Sequence, residues 1–175
     1  MKKYILRTVL FLIISSFSVV LHAQVNDSLQ VQLSRKWINA KAYTLKMAEL
    51  MPAENYDFKP TPDVMSFKEQ LVHIADNMKW LSSAFLFSTG NSGKFDAATM
   101  DKAAAIKVLS DAYDQALSVH AIHVKQLDET VSFFAGPMTR RQILILMHDH
   151  QTHHIGQLIV YLRLKDIKPP AYVGW

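Results

Sequence analysis

The chain has 175 residues, half of them apolar, with 19 Lys and Arg against 15 Asp and Glu. That length and balance describe one packed globular domain and exclude a disordered or collagen-like chain. The absence of Cys excludes a disulfide scaffold, a cysteine nucleophile and any thiolate metal site.

The first segment has the layout of an export signal. Lys2, Lys3 and Arg7 precede an apolar run from Val9 to Val20, and Leu21-His22-Ala23 supplies a cleavage region. The run is shorter than the roughly 20 residues a spanning helix needs. Residues 1–23 are therefore expected to be a cleaved signal peptide and residues 24–175 the mature domain, periplasmic or secreted, with no membrane attachment after cleavage. Removing three basic and no acidic residues leaves 16 against 15. The high overall pI thus belongs to the leader, and no Lys/Arg stripe remains for nucleic acid.

Four amphipathic helices follow, and no strand is expected. The first covers Asp27 to Met51, with Leu29, Leu33, Trp37, Ala40, Met47 and Met51 at three-four spacing. Pro52, Pro60 and Pro62 punctuate a loop. The second opens at Ser66, where Ser66 and Glu69 form a capping box, and its stripe runs Phe67, Leu71, Ile74, Met78, Leu81, Phe85. The third is expected from Asp101 to Thr130, and Gly136-Pro137 breaks the chain. The fourth starts at Thr139, capped with Gln142, and ends near Leu164 before Pro169-Pro170. Four such helices predict an all-α four-helix bundle.

The chemistry lies in Met147-His148-Asp149-His150-Gln151-Thr152-His153-His154. At about 100° per residue, His150 and His154 fall on the same side of the helix as Ile143, Met147, Leu158 and Tyr161, whereas His148 and His153 point elsewhere. Two imidazoles at i and i+4 offer two nitrogens to one metal, and two satisfied core histidines are the simpler alternative. Gln151 follows His150 where a zincin needs a glutamate base, which argues against a metalloprotease. A third ligand must come from another helix. His73, near Gln70, Asn77 and Trp80, is one candidate, and the inward-facing His120 is its rival. His123 reads as surface. Asp76 and Asp149 read as solvated acids.

The stretch from Ser66 to Ala75 and the later His150-Gln151-Thr152-His153-His154-Ile155-Gly156-Gln157-Leu158 resemble the DinB-like family, as does the tail Lys168 to Tyr172. The resemblance covers essentially the whole mature chain. It implies an up-down-down-up bundle, often dimeric, that holds a divalent ion, commonly zinc or nickel, through three histidines. Carried over by position, these are His73, His150 and His154, with Gln157, Asn77 and Trp80 lining the pocket and Gly156 permitting close helix packing. The family often has Arg where Ile155 stands, so a role for an anionic group at that point does not carry over from the resemblance. Some relatives transfer low-molecular-weight thiols, which an exported protein would seldom meet. Three neutral histidines leave a metal position open, as in catalytic zinc sites. The expectation is a metal-dependent hydrolase or transferase acting on an unidentified small molecule. The alternative is a non-catalytic metal- or ligand-binding bundle.

Overall fold

The computed structural model of the chain describes residues 31–90, 93–119, 122 and 124–175. The expected signal peptide, the first turn of the first helix, His120 and His123 lie outside the described residues. What is described is mostly helical: α1 (residues 31–50), α2 (Phe67–Leu81), α3 (Lys102–Ser118) and α4 (Arg140–Leu164), with a hairpin of β1 (Thr130–Phe133) and β2 (Gly136–Thr139) ahead of α4. Among the described residues no helix is long and apolar enough to cross a membrane.

The capping boxes expected at Ser66 and Thr139 are formed, and the one expected at Asp27 with Gln30 lies outside the described residues. Ser66 Oγ accepts from the Glu69 N–H at 3.2 Å, and the Glu69 carboxylate accepts from the Ser66 N–H at 2.6 Å. That backbone donor, more than the nearby Lys59, holds the Glu69 carboxyl below its ordinary range. At α4, Thr139 and Gln142 repeat the exchange at 2.8 and 3.2 Å. Each box satisfies two N–H groups that a helix start would leave bare, which fixes where α2 and α4 begin.

The helices bury their apolar stripes in one shared core that includes Trp37, Met47, Phe67, Leu71, Met78, Leu109, Tyr113, Ile143, Met147 and Leu158. Polar contacts set the helix directions. Thr44 meets Tyr113 at 2.8 Å, and Lys102 donates to the Glu49 and Met51 carbonyls at 2.7 and 2.8 Å, so α1 and α3 run antiparallel. Phe67 packs on Tyr161 and His73 on His150, so α2 and α4 also run antiparallel. Gln115, near the end of α3, donates to Ser82 and Ser83 at the end of α2. These two helices therefore run in the same direction.

Three expectations are corrected. The third helix stops at Ser118, not Thr130, and gives way to a 3-10 turn at Val124–Asp128. Strands also exist. Thr130-Val131-Ser132-Phe133 alternates, with Phe133 buried and Thr130 and Ser132 exposed, and pairs in register from Thr130↔Thr139 to Phe133↔Gly136. Gly136-Pro137 is thus the start of a strand rather than a break. Gly136 adopts φ +115°, a backbone that a tight hairpin turn reserves for glycine. Gly156 also departs from expectation. It is exposed, and an added Cβ would meet nothing within 4 Å, so among the described residues no neighbouring helix is drawn in against it.

Candidate metal centre

The capped start of α2 places His73 two turns into the helix, and the antiparallel α4 brings His150 and His154 opposite it. The three rings offer ligand nitrogens that all lie within 4.8 Å of one another. His73 Nε2 and His150 Nε2 are 3.1 Å apart, and the ring centroids stand 4.5–4.9 Å from one another. Two nitrogens bound tetrahedrally to one zinc at 2.0–2.1 Å would be separated by about 3.3 Å, so the spacing suits a shared ion as well as a ring-to-ring hydrogen bond.

His154 is the most enclosed of the three and the best oriented. Its Nδ1 lies 2.5 Å from Gln70 Oε1. A carbonyl oxygen only accepts, so Nδ1 carries the proton and Nε2 presents its lone pair to the cluster. Gln70 is fixed in turn: its Nε2 donates to Gln157 Oε1 at 2.6 Å, and Gln157 Nε2 reaches His153 Nε2 at 3.0 Å. Gln70 is buried, and a buried amide with both ends engaged is held in one setting.

Electrostatics keep the rings neutral. Burial, then the proximity of His150, His73 and His153, lowers the His154 pKa to about 3. Burial, then His73 and His153, lowers that of His150 to about 4. Burial also lowers His73, against the pull of Asp76. Neutral imidazole is the metal-binding form, so the donors are ready at neutral pH. One atom remains unserved: His150 Nδ1 is buried without a hydrogen-bond partner. The three neutral nitrogens converge in one place and fit a divalent cation with further positions for other groups, while His150 Nδ1 lies on the far side of its ring from the shared point.

The remaining expected site residues are spread along α2 and α4. Gln157 adjoins the cluster through Gln70. Asn77 lies one turn beyond His73, and its Oδ1 is buried without a partner. Trp80 sits a further turn on, among Phe85, Phe133 and Phe134. Asp76 accepts the Phe95 N–H at 2.9 Å, and Asp149 is exposed. His148 points away from the shared face of His150 and His154, as expected. It packs edge-on against Trp37 of α1, because α4 is flanked by α1 on that side and by α2 on the other.

From the sequence alone, Gln70 is only a neighbour of His73, and Gln151 only a residue that stands where a base is missing. Gln151 is buried, and its Oε1 accepts from the Tyr113 hydroxyl at 2.7 Å, which also meets Thr44. This polar link through the core joins α1, α3 and α4 beside His150. A glutamine on the apolar face of a helix is the signal that could have disclosed both.

Over residues 23–173 the chain matches the model of the DinB family. The chain belongs to the DinB family. It is 28% identical over 141 residues to the protein YjoA of Bacillus subtilis, covering 75% of this chain and 88% of that one. The crystal structure of that DinB-like protein superposes with a TM-score of 0.66 at 19% identity, over 81% of this chain and 96% of the other. A DinB-like protein from Bacillus cereus gives 0.64 at 20% identity, over 81% and 95%. At these identities the structural likeness speaks for the DinB-like fold, and the histidine chemistry rests on this chain's own residues.

Proposed function

We propose that this DinB-family protein holds one divalent ion, zinc or nickel, on His73, His150 and His154, and uses it on a small molecule. The observation that carries the reading is the convergence of three neutral ring nitrogens, one of them locked by Gln70 into the tautomer that presents Nε2. A bound ion supplies a Lewis acid able to polarise a substrate oxygen or lower the pKa of a water or thiol. The chain's own groups do the rest: α2 and α4 fix the ligand geometry, Gln70 and Gln157 orient His154, and burial keeps the rings unprotonated. The helix directions described above support the up-down-down-up arrangement.

Hydrolysis or group transfer is the reaction class, and a non-catalytic metal- or ligand-binding role is the competing reading. The competing reading is favoured by one observation: the metal-competent cluster consists of histidines alone, while of the acids close to it in sequence Asp149 is exposed and Asp76 is engaged by the Phe95 N–H. The sequence of residues 1–23 supports export to the periplasm or beyond. A homodimer completes the proposal, supported by the exposed Val31 and Ile38 on α1.

The deciding experiment is elemental mass spectrometry on protein purified without a polyhistidine tag or chelator. About one metal per chain is expected, lost in both His73→Ala and His150→Ala. No metal in the wild type, even after zinc or nickel is added, overturns the proposal.

A further inference from the structure

Seven residues separate His73 from Trp80, which is nearly two full helical turns. At about 100° and 1.5 Å per residue, the two side chains lie within about 20° of one face and about 10 Å apart along α2, with Asn77 between them. His73 faces α4, while Trp80 faces the hairpin that leads into α4. This single face therefore runs from the three histidines to an aromatic cluster.

The cluster is built from separate elements. Trp80 packs edge-on to Phe85 at 5.6 Å, is tilted against Phe133 at 5.8 Å, and is nearly parallel to Phe134 at 6.4 Å and 22°. Arg140 ties the hairpin exit to the segment that follows α2, donating to the Leu86 carbonyl at 2.5 Å and to Ser88 at 3.3 Å, with Glu129 also at 3.3 Å. Phe134, at the hairpin tip, is 84% exposed. An exposed phenyl ring stacked beside a partly exposed indole offers a third ring two aromatic surfaces. Asn77 lies between this wall and the histidines on the same face of α2.

We propose that the His73–Asn77–Trp80 face, closed by Phe134, is the substrate channel of the three-histidine site and selects an elongated aromatic molecule. Its metal-binding group sits at the histidines, and a flat ring rests on Trp80 and Phe134. The proposal rests on the metal reading above and adds the class of molecule that the site takes.

The test uses full-length, zinc-loaded protein and two hydroxamates of equal head and linker. N-hydroxy-N′-phenylbutanediamide carries the ring, and N-hydroxy-N′-methylbutanediamide lacks it. By titration calorimetry the phenyl compound should bind at least about tenfold more tightly. That preference should fall to within about twofold in Phe134→Ala, where the exposed position leaves the fold intact, and in Trp80→Leu. Metal content and affinity for the methyl compound should stay unchanged. Equal affinities in the wild type, or a preference that survives both substitutions, overturn the proposal. So does a dimer that Phe134→Ala abolishes without any ring preference, which would assign the patch to a second copy. If elemental analysis finds no metal, the histidine reading fails separately, and N-phenylpropanamide probes the wall alone. A shift of the Trp80 indole N–H resonance then supports the channel, and an unmoved resonance overturns it.

Discussion

Gln70 on α2 accepts a hydrogen bond from His154 on α4 through a contact of 2.5 Å between Oε1 and Nδ1. The contact crosses the interface that brings the ligands together, so Gln70 acts on the metal through His154. Removing the acceptor leaves Nδ1 without its partner and frees the ring to rotate or change tautomer. In Gln70→Leu, metal affinity should fall by about 10–100-fold while the helical content is kept. Competition of the zinc-loaded protein against a chromophoric chelator measures this. An unchanged affinity would show that packing alone sets the ring.

The same burial that readies the histidines makes the protein acid-sensitive. Their ordinary pKa is about 6.5, and in the fold His150 falls to about 4 and His154 to about 3. Between about 6.5 and 4 the unfolded chain binds protons that the folded chain refuses, so stability rises with pH across that window. The contribution is present above pH 6.5 and is lost progressively as the pH falls through 6.5 towards the folded values. Urea midpoints of the metal-free protein should therefore drop from pH 7.5 to pH 5. A flat profile would mean that the rings are better solvated than their burial implies.

Tyr113 is buried, and its hydroxyl serves Thr44 and Gln151 at once. Burial also raises its pKa well above the ordinary tyrosine value, so the group stays a neutral donor. Tyr113→Phe keeps the ring but leaves two buried polar side chains short of a partner, at a cost of about 1–3 kcal/mol. Urea denaturation should show that loss. Because Gln151 adjoins His150 on α4, zinc affinity should weaken along with stability. A destabilised variant with unaltered affinity would confine the link to the core.

The reading from sequence succeeded where a residue's signal is local. Ser66 with Glu69 and Thr139 with Gln142 state their helix starts within four residues, and His150 with His154 state a shared face within one turn. It failed at Ser118 to Phe133, where apolar positions such as Val124 and Leu127 continue a helical spacing that the chain abandons. The strand Thr130–Phe133 is only four residues long, and its pairing with Gly136–Thr139 is a tertiary fact. His73 could be placed on α2 from its period, but its meeting with α4 depends on helix order, and the resemblance supplied that. The link from Gln70 to His154 spans 84 residues and has no signal along the chain.

Gly156 gives a last prediction, on a position where the resemblance and the structure part. Close packing of a neighbouring helix would make glycine necessary, yet an added Cβ meets nothing within 4 Å and the position is exposed in the interior of α4. Its φ lies outside the positive region, so alanine fits without strain. Alanine also restricts the unfolded chain, which in a helix interior favours the fold by about 0.5–1 kcal/mol. For a domain of this size, a gain of 1 kcal/mol raises the thermal midpoint by about 2–4 °C. Gly156→Ala should therefore melt somewhat higher than the wild type, with metal content unchanged. A lower midpoint would instead reveal a surface packed against this face of α4, and a fall that depends on protein concentration would identify that surface as a second copy of the chain.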